Sequence, residues 1–181
     1  MAERGQVMER KIESEQIYSG RVIEVVRDVV ELDDGRPAVR EVVLHRGGCC
    51  IALRDPADNK YYMVRQYRYA QQTEMLEFCA GKMEEGEDPA KTILRECEEE
   101  LGVTAENVRA YGYIAPTCGY SSEKIYLYSG DKGKTVGTHF DDDEQIEPEK
   151  YSLEEIEDMI ARGEIFDAKT IALVYRLRAG R

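Results

Sequence analysis

Apolar residues recur along this chain at two different periods, and the order of the periods outlines a fold. Residues 20–32 (GRVIEVVRDVVEL) and 38–45 (AVREVVLH) are rich in β-branched side chains that partly alternate with polar ones, and Asp33-Asp34-Gly35 stands between them as a turn signal. That pattern predicts a β-hairpin or the first strands of a meander. Gly47-Gly48 breaks the run. Residues 49–54 and 61–68 (YYMVRQYR) then predict an antiparallel pair about a turn at 55–59, and residues 74–78 a short strand that delivers the chain to Gly81. Beyond Asp88-Pro89 the period becomes helical, with Ala90, Ile93, Leu94, Cys97 and Leu101 three and four residues apart. Asp as N-cap, Pro at the first helical position and Gly102 at the far end bound this helix on both sides.

The remainder predicts strands at 108–114 and 124–128 flanking a loop at 115–123, an irregular acidic stretch at 129–150, and helices at 153–161 and 168–177 joined near Gly163. The polar residues 1–10 are expected to fray. Strands, a helix, more strands and terminal helices together predict a mixed sheet covered on both faces, of the α/β or α+β class. A chain of 181 residues is one domain with at most a small N-terminal appendage.

Charge changes this picture most. The formal net charge of −12 argues against nucleic acid or an anionic membrane as partner. The acid is also concentrated: residues 81–103 and 140–158 hold 18 of the 37 Asp and Glu, more than an evenly solubilised surface would show. The five cysteines (Cys49, Cys50, Cys79, Cys97, Cys118) are odd in number and lack a C-x-x-C pair, and neither His45 nor His139 has ligand-like spacing to them. They are expected to be reduced, mostly buried thiols of a cytoplasmic protein. No apolar run approaches the length of a membrane span, and MAERGQVMERK carries no signal core.

In the predicted helix Glu96, Glu99 and Glu100 stand at i, i+3 and i+4, so three carboxylates converge on one face. Such runs ordinarily mark a solvated helix face. Like charges at this spacing repel unless a cation sits among them, and hard divalent ions take oxygen ligands of this kind. Glu96 and Glu100 are the first metal ligands on this reading, with Glu99 supporting them or bridging a second ion. Arg95 is placed to orient or screen the cluster.

The spacing is more specific than the charge. Gly81, Glu87, Arg95-Glu96-Cys97, Glu99-Glu100 and Gly102-Val103 stand in a pattern that resembles the Nudix box, with Cys97 where the family usually has a bulkier aliphatic residue. The resemblance implies a Nudix α/β/α sandwich over residues 46–181, preceded by an N-terminal antiparallel β extension (residues 1–45) used for dimerisation. It also implies Mg²⁺, with Mn²⁺ as the alternative, bound by the loop and helix, and Glu87 as a structural carboxylate.

The chain is most similar to the ADP-ribose pyrophosphatase branch. That likeness adds the main-chain carbonyl of Ala80 to the metal ligands and places a catalytic glutamate at Glu144 in the run HFDDDEQIE, with Asp142 and Asp143 as alternatives. Glu99 is the second catalytic carboxylate and stands next in line as base with Glu123. Gln66 and Arg68, two residues apart on one strand face, occupy the place of a phosphate-contacting arginine, and Arg65 falls on the opposite face. Pro116 resembles the marker proline of the branch, and Glu123 closes the same loop. The implied reaction is hydrolysis of ADP-ribose, or a close nucleoside diphosphate sugar, to AMP and a sugar phosphate by a homodimer. A GDP-mannose-type or broader hydrolase, and a non-catalytic Nudix-fold binding protein, are the alternatives.

Overall fold

In the computed structural model, residues 8–138 and 146–180 are described, and they fall into two units. One comprises the residues up to Arg46 together with Thr117–Glu123, and the other Gly47–Pro116 with the chain from Lys124 onward.

The first unit is a meander of β1 (Arg10–Ser19), β2 (Ile23–Glu31) and β3 (Pro37–His45), in that spatial order. The expected turn forms at Gly35, whose N–H donates to Leu32 O at 2.8 Å. Strand β1 was not legible as a strand, because its residues are mostly polar and exposed along the whole length. Cross-strand charge holds it instead: Arg10 meets Glu31 at 3.0 Å, Glu15 meets Arg27 at 3.4 Å, and Ser14 donates to Asp28 at 2.5 Å. The 117–123 segment hydrogen bonds along β3, Val43 N to Tyr120 O at 2.8 Å and Ser122 N to Val43 O at 2.9 Å. Ile12, Ile17, Tyr18, Val39 and Leu44 remain exposed.

The second unit is built on a mixed sheet. β4 (Gly48–Asp55) lies at its centre between β5 (Lys60–Arg68), antiparallel, and β9 (Ile125–Thr135), parallel. β8 (Val103–Ile114) pairs with β9, β6 (Thr73–Glu77) with β5, β7 (Ala80–Lys82) with β4, and β10 (Ile146–Tyr151) with β5, all antiparallel. The pleat of β4 separates two cores. Cys49, Ile51 and Leu53 pack with Ile93, Cys97 and Leu101 of helix α1 (Pro89–Leu101). Cys50 and Ala52 face the other way, onto Ile156 of α2 (Leu153–Ala161) and Leu173 and Val174 of α3 (Ala168–Ala179). Helices thus cover both sheet faces, the α/β/α arrangement expected. Among the described residues no helix is long and apolar enough to cross a membrane.

Residues 129–150 depart from expectation. β9 runs on to Thr135 and β10 occupies Ile146–Tyr151, where an irregular stretch was expected. The sequence here is too polar to read as strand, but charge partners supply what periodicity lacks. Arg65 grips Glu149 at 2.6 Å, Lys150 bridges Asp55 and Asp58 at 3.1 and 2.6 Å, and Arg54 meets Asp131 at 2.7 Å. Leu94, expected on the apolar face of α1, is instead 39% exposed.

All five cysteines are free, and only Cys118 is exposed. One thiol should therefore react with a chromogenic thiol reagent in the native protein, and the other four only after denaturant is added. Full reaction without denaturant would refute the buried placement.

Candidate active site

Helix α1 begins and ends on local signals. The Asp88 carboxylate accepts from Ala90 N at 2.8 Å and Lys91 N at 3.3 Å, Pro89 opens the first turn, and Gly102 closes the helix at φ 65°. These ends fix the length of the helix, and its apolar period fixes which side faces the sheet. Ile93, Cys97 and Leu101 are buried, and Glu100, on the same flank, is only 4% exposed.

Gly81 is the point of closest approach. It lies in β7, opposite Cys49 of β4, and a methyl group in place of its hydrogen would collide with the Glu96 carboxylate. Only glycine leaves room for Glu96 to lie across the β7 backbone. The Cys49 thiol donates to Gly81 O at 3.7 Å, and burial pushes that thiol up to about 12. Cys79 lies deeper still, its thiol pushed well up by hydrogen bonding to Cys97 and then by burial, with the Glu100 carboxylate also beside it.

Arg95 organises the outer carboxylates. Its guanidinium meets Glu99 Oε2 at 2.6 Å, Glu96 Oε1 at 3.0 Å and Glu87 Oε1 at 3.5 Å. Burial works against its charge, but Glu96, Glu99 and Glu87 outweigh it and raise its pKa. Glu87 also accepts from Glu84 N at 3.0 Å and so ties the loop to the helix.

The donor chemistry of Glu96, Glu99, Glu100 and the Ala80 carbonyl fits a hard divalent cation. Among the described residues, however, no three Asp, Glu, His or Cys side chains gather closely enough to hold an ion as they stand. Glu96 and Glu99 are turned onto Arg95, which plays the part of the screening cation.

The Q-x-R strand lies alongside. Val64 packs in the α1 core, and period two puts Gln66 and Arg68 on the same face. Arg68 forms a two-pronged bond to Glu77, Nε to Oε1 at 2.8 Å and Nη2 to Oε2 at 2.7 Å, and its charge is also supported by Glu100. Arg65 faces away and is taken up by Glu149. Ile146, the first residue of β10, stands opposite Gln66. Glu144, Asp142 and Asp143 lie outside the described residues. Pro116 follows β8, and Glu123 belongs to the smaller unit, its carboxylate 3.6 Å from His45 Nδ1.

Sequence reasoning missed Glu77. This carboxylate, 1% exposed between Leu76 and Phe78, holds Arg68 and also Lys169 of α3, which meets Asp167 at 3.0 Å. A carboxylate inside an apolar strand demands a cation, and that signal was available in MLEF. That Arg68, 9 residues away, and Lys169, 92 residues away, would be its partners was not.

The Nudix sequence profile, described as the NUDIX domain, matches residues 43–174. The chain is 37% identical to a methanol dehydrogenase activator of Bacillus methanolicus and 33% identical to an ADP-ribose pyrophosphatase of Bacillus subtilis (strain 168). Each match covers 94% of this chain and 92% of the relative. A crystal structure of an ADP compounds hydrolase superposes with a TM-score of 0.81 at 18% identity, over 94% of this chain and 92% of that one, a likeness of fold.

Burial opposes the charge of Glu77, but the Arg68 and Lys169 contacts prevail and hold its pKa below the usual 4.5. A lowered carboxylate pKa stabilises the fold above its unfolded value and ceases to do so as pH falls through the folded one. Urea midpoints of the wild type should therefore drop steeply below about pH 4.5, and Glu77→Gln should flatten that drop. At neutral pH the variant should lose stability, toward the lower end of the roughly 3–5 kcal/mol expected for a broken buried pair, because Arg68 is over a third exposed.

Proposed function

Because this chain belongs to the NUDIX domain family, we propose that it hydrolyses the diphosphate bond of ADP-ribose, or of a close nucleoside diphosphate sugar, to AMP and a sugar phosphate. The observation that carries the reading is the seating of Glu96 against the side-chain-free backbone of Gly81, with Glu99 and Glu100 on the same helix and Arg68 within the field of Glu100. The relative named ADP-ribose pyrophosphatase supports the choice of substrate.

Mg²⁺, with Mn²⁺ as alternative, supplies neutralisation and polarisation of phosphoryl oxygens when bound. Glu96, Glu100 and the Ala80 carbonyl are its proposed ligands, with Glu99 supporting. Arg68 holds a phosphate oxygen through its forked donors, and Gln66 lies beside it on the same face. Pro116 and Glu123 are the proposed contacts from the loop after β8. Glu144 takes the proton from the attacking water.

The remaining partners follow from composition and surface. A net charge of −12 supports a small-molecule substrate and neither nucleic acid nor membrane. Five free thiols support a reducing, cytoplasmic setting. Exposed Ile12, Ile17, Tyr18 and Val39 on the three-stranded unit support a homodimer in which these strands meet a second copy.

The relative named a methanol dehydrogenase activator, at 37% identity, favours a second reading in which the chain acts on a partner enzyme. The intact Glu96, Glu99 and Glu100 favour catalysis. The test is a panel of ADP-ribose, GDP-mannose and other nucleoside diphosphate derivatives with Mg²⁺, read by product identification. Turnover of ADP-ribose to AMP, lost in excess EDTA, is expected; turnover that survives EDTA sinks the metal assignment, and none with any substrate favours the second reading.

Glu100→Gln should keep the fold and lower kcat by at least about a hundredfold. Glu144→Gln should lower kcat strongly with little change in KM, since a base acts mainly in the transition state. A larger loss in Asp143→Asn than in Glu144→Gln would move the base by one residue. In solution a dimer mass by light scattering is expected, and a fully active monomer at micromolar concentration refutes the dimer.

A further inference from the structure

We infer that Glu77 and Lys169 present Arg68 to the diphosphate, as positioning residues outside the loop–helix motif. The inference rests on the functional reading above and extends it to two residues that reading does not use.

Glu77 stands opposite Val64 across the β5–β6 pair, so its side chain shares the face that carries Gln66 and Arg68. Its two oxygens take Nε at 2.8 Å and Nη2 at 2.7 Å, which fixes the plane of the guanidinium and occupies one edge of it. Among the described residues Arg68 Nη1 makes no hydrogen bond, and the side chain is 38% exposed. The edge left over is the one able to meet a phosphate oxygen.

A simple Arg–Glu pair would be a poor phosphate clamp, because the carboxylate cancels the charge it orients. Lys169 changes that balance. Its ammonium binds the same Glu77 carboxylate while also meeting Asp167 at 3.0 Å, and its side chain is only 11% exposed. The charge of Glu77 is thus divided between two cations, less the share of Lys169 that Asp167 takes, and Arg68 keeps part of its positive field at the outward nitrogen. Lys169 is itself held in place by the start of α3. Asp167 caps that helix at Thr170 N (2.9 Å), and Thr170 Oγ1 accepts from Phe78 N at 3.0 Å, beside Glu77 in the chain. Two contacts from one helical turn, Lys169 to Glu77 and Thr170 to Phe78, therefore converge on the strand end that orients Arg68.

The test is steady-state hydrolysis of ADP-ribose with Mg²⁺ by the full chain and its variants, with thermal melts to establish folding. Glu77→Gln should raise KM roughly tenfold and change kcat by less than about threefold, the split expected when binding shared by substrate and transition state is lost. Lys169→Met, which leaves Glu77 to cancel Arg68 alone, should raise KM roughly threefold. In an Arg68→Gln background both substitutions should have no further effect on KM, since each acts through Arg68. If Glu77→Gln proves too unstable to assay, Glu77→Gln/Lys169→Met removes one charge of each sign and should still raise KM. An unchanged KM in folded Glu77→Gln, or in the double variant, overturns the inference, as does an undiminished rise in the Arg68→Gln background. If the wild type hydrolyses no diphosphate, the functional reading fails by itself. The same variants are then compared by calorimetric binding of inorganic pyrophosphate, where weakening that depends on Arg68 upholds the inference and unaltered affinity overturns it.

Discussion

The candidate site depends on how closely helix α1 can approach the sheet beneath it. The two are close where Gly81 faces Glu96, whose carboxylate any side chain at Gly81 would push off the strand. The apolar flank of α1 is already committed to Cys49, Ile51, Leu53 and Val64, so the helix cannot rotate to relieve a collision without opening its core. Small cysteines at positions 49, 79 and 97 keep the floor thin. The departure at Cys97, where a bulkier residue is usual in sequences of this pattern, is accommodated as a fully buried contact.

Seating so many carboxylates at one place raises an electrostatic problem, and the structure answers it twice. On the outer side Arg95 gathers Glu87, Glu96 and Glu99 around one guanidinium. On the inner side Arg68 and Lys169 share Glu77, with Asp167 completing the network. Both arrangements place a cation within reach of the acidic helix, which keeps like charges from driving it away from the sheet. They differ in solvent. The inner network is buried at Glu77 and Lys169, and removing one of these strands a buried charge, whereas the outer one is partly open at both Arg95 and Glu99 and that pair is exchangeable. An exchangeable set of carboxylates suits a site that must accept a metal ion and release product.

The three-stranded unit follows different physics. It has little core of its own: Val30 is buried, but β1 is exposed throughout. Its strands are registered by opposed charges and by the turn at Gly35, while its isoleucines and valines face outward. The loop at 117–123, singled out in the sequence for its proline and glutamate, folds onto β3 of this unit, with Glu123 beside His45.

What the sequence by itself determined is the part written in neighbouring residues. Asp88, Pro89 and Gly102 bound α1, the β-branched or apolar runs of β2 to β6 mark strands, residues 153–161 and 168–177 read as the last two helices, and the spacing from Gly81 to Val103 picks out the family. Each of these signals acts over a few residues, through caps, turn conformations and periodic burial. What only the tertiary structure decided is the part held by distant charges. β1 and β10 are too polar to show a period, and the second half of β9 likewise. They form as ladder partners of β2, β5 and β8, with Arg10 meeting Glu31, Arg65 meeting Glu149 84 residues away and Lys150 meeting Asp55 95 residues away. Glu77 could be recognised in the sequence as a carboxylate in need of a cation, but the choice of Arg68 and Lys169 was made by the packing of β5, β6 and α3. A charge states that it needs a partner, and the fold alone brings the partner within reach.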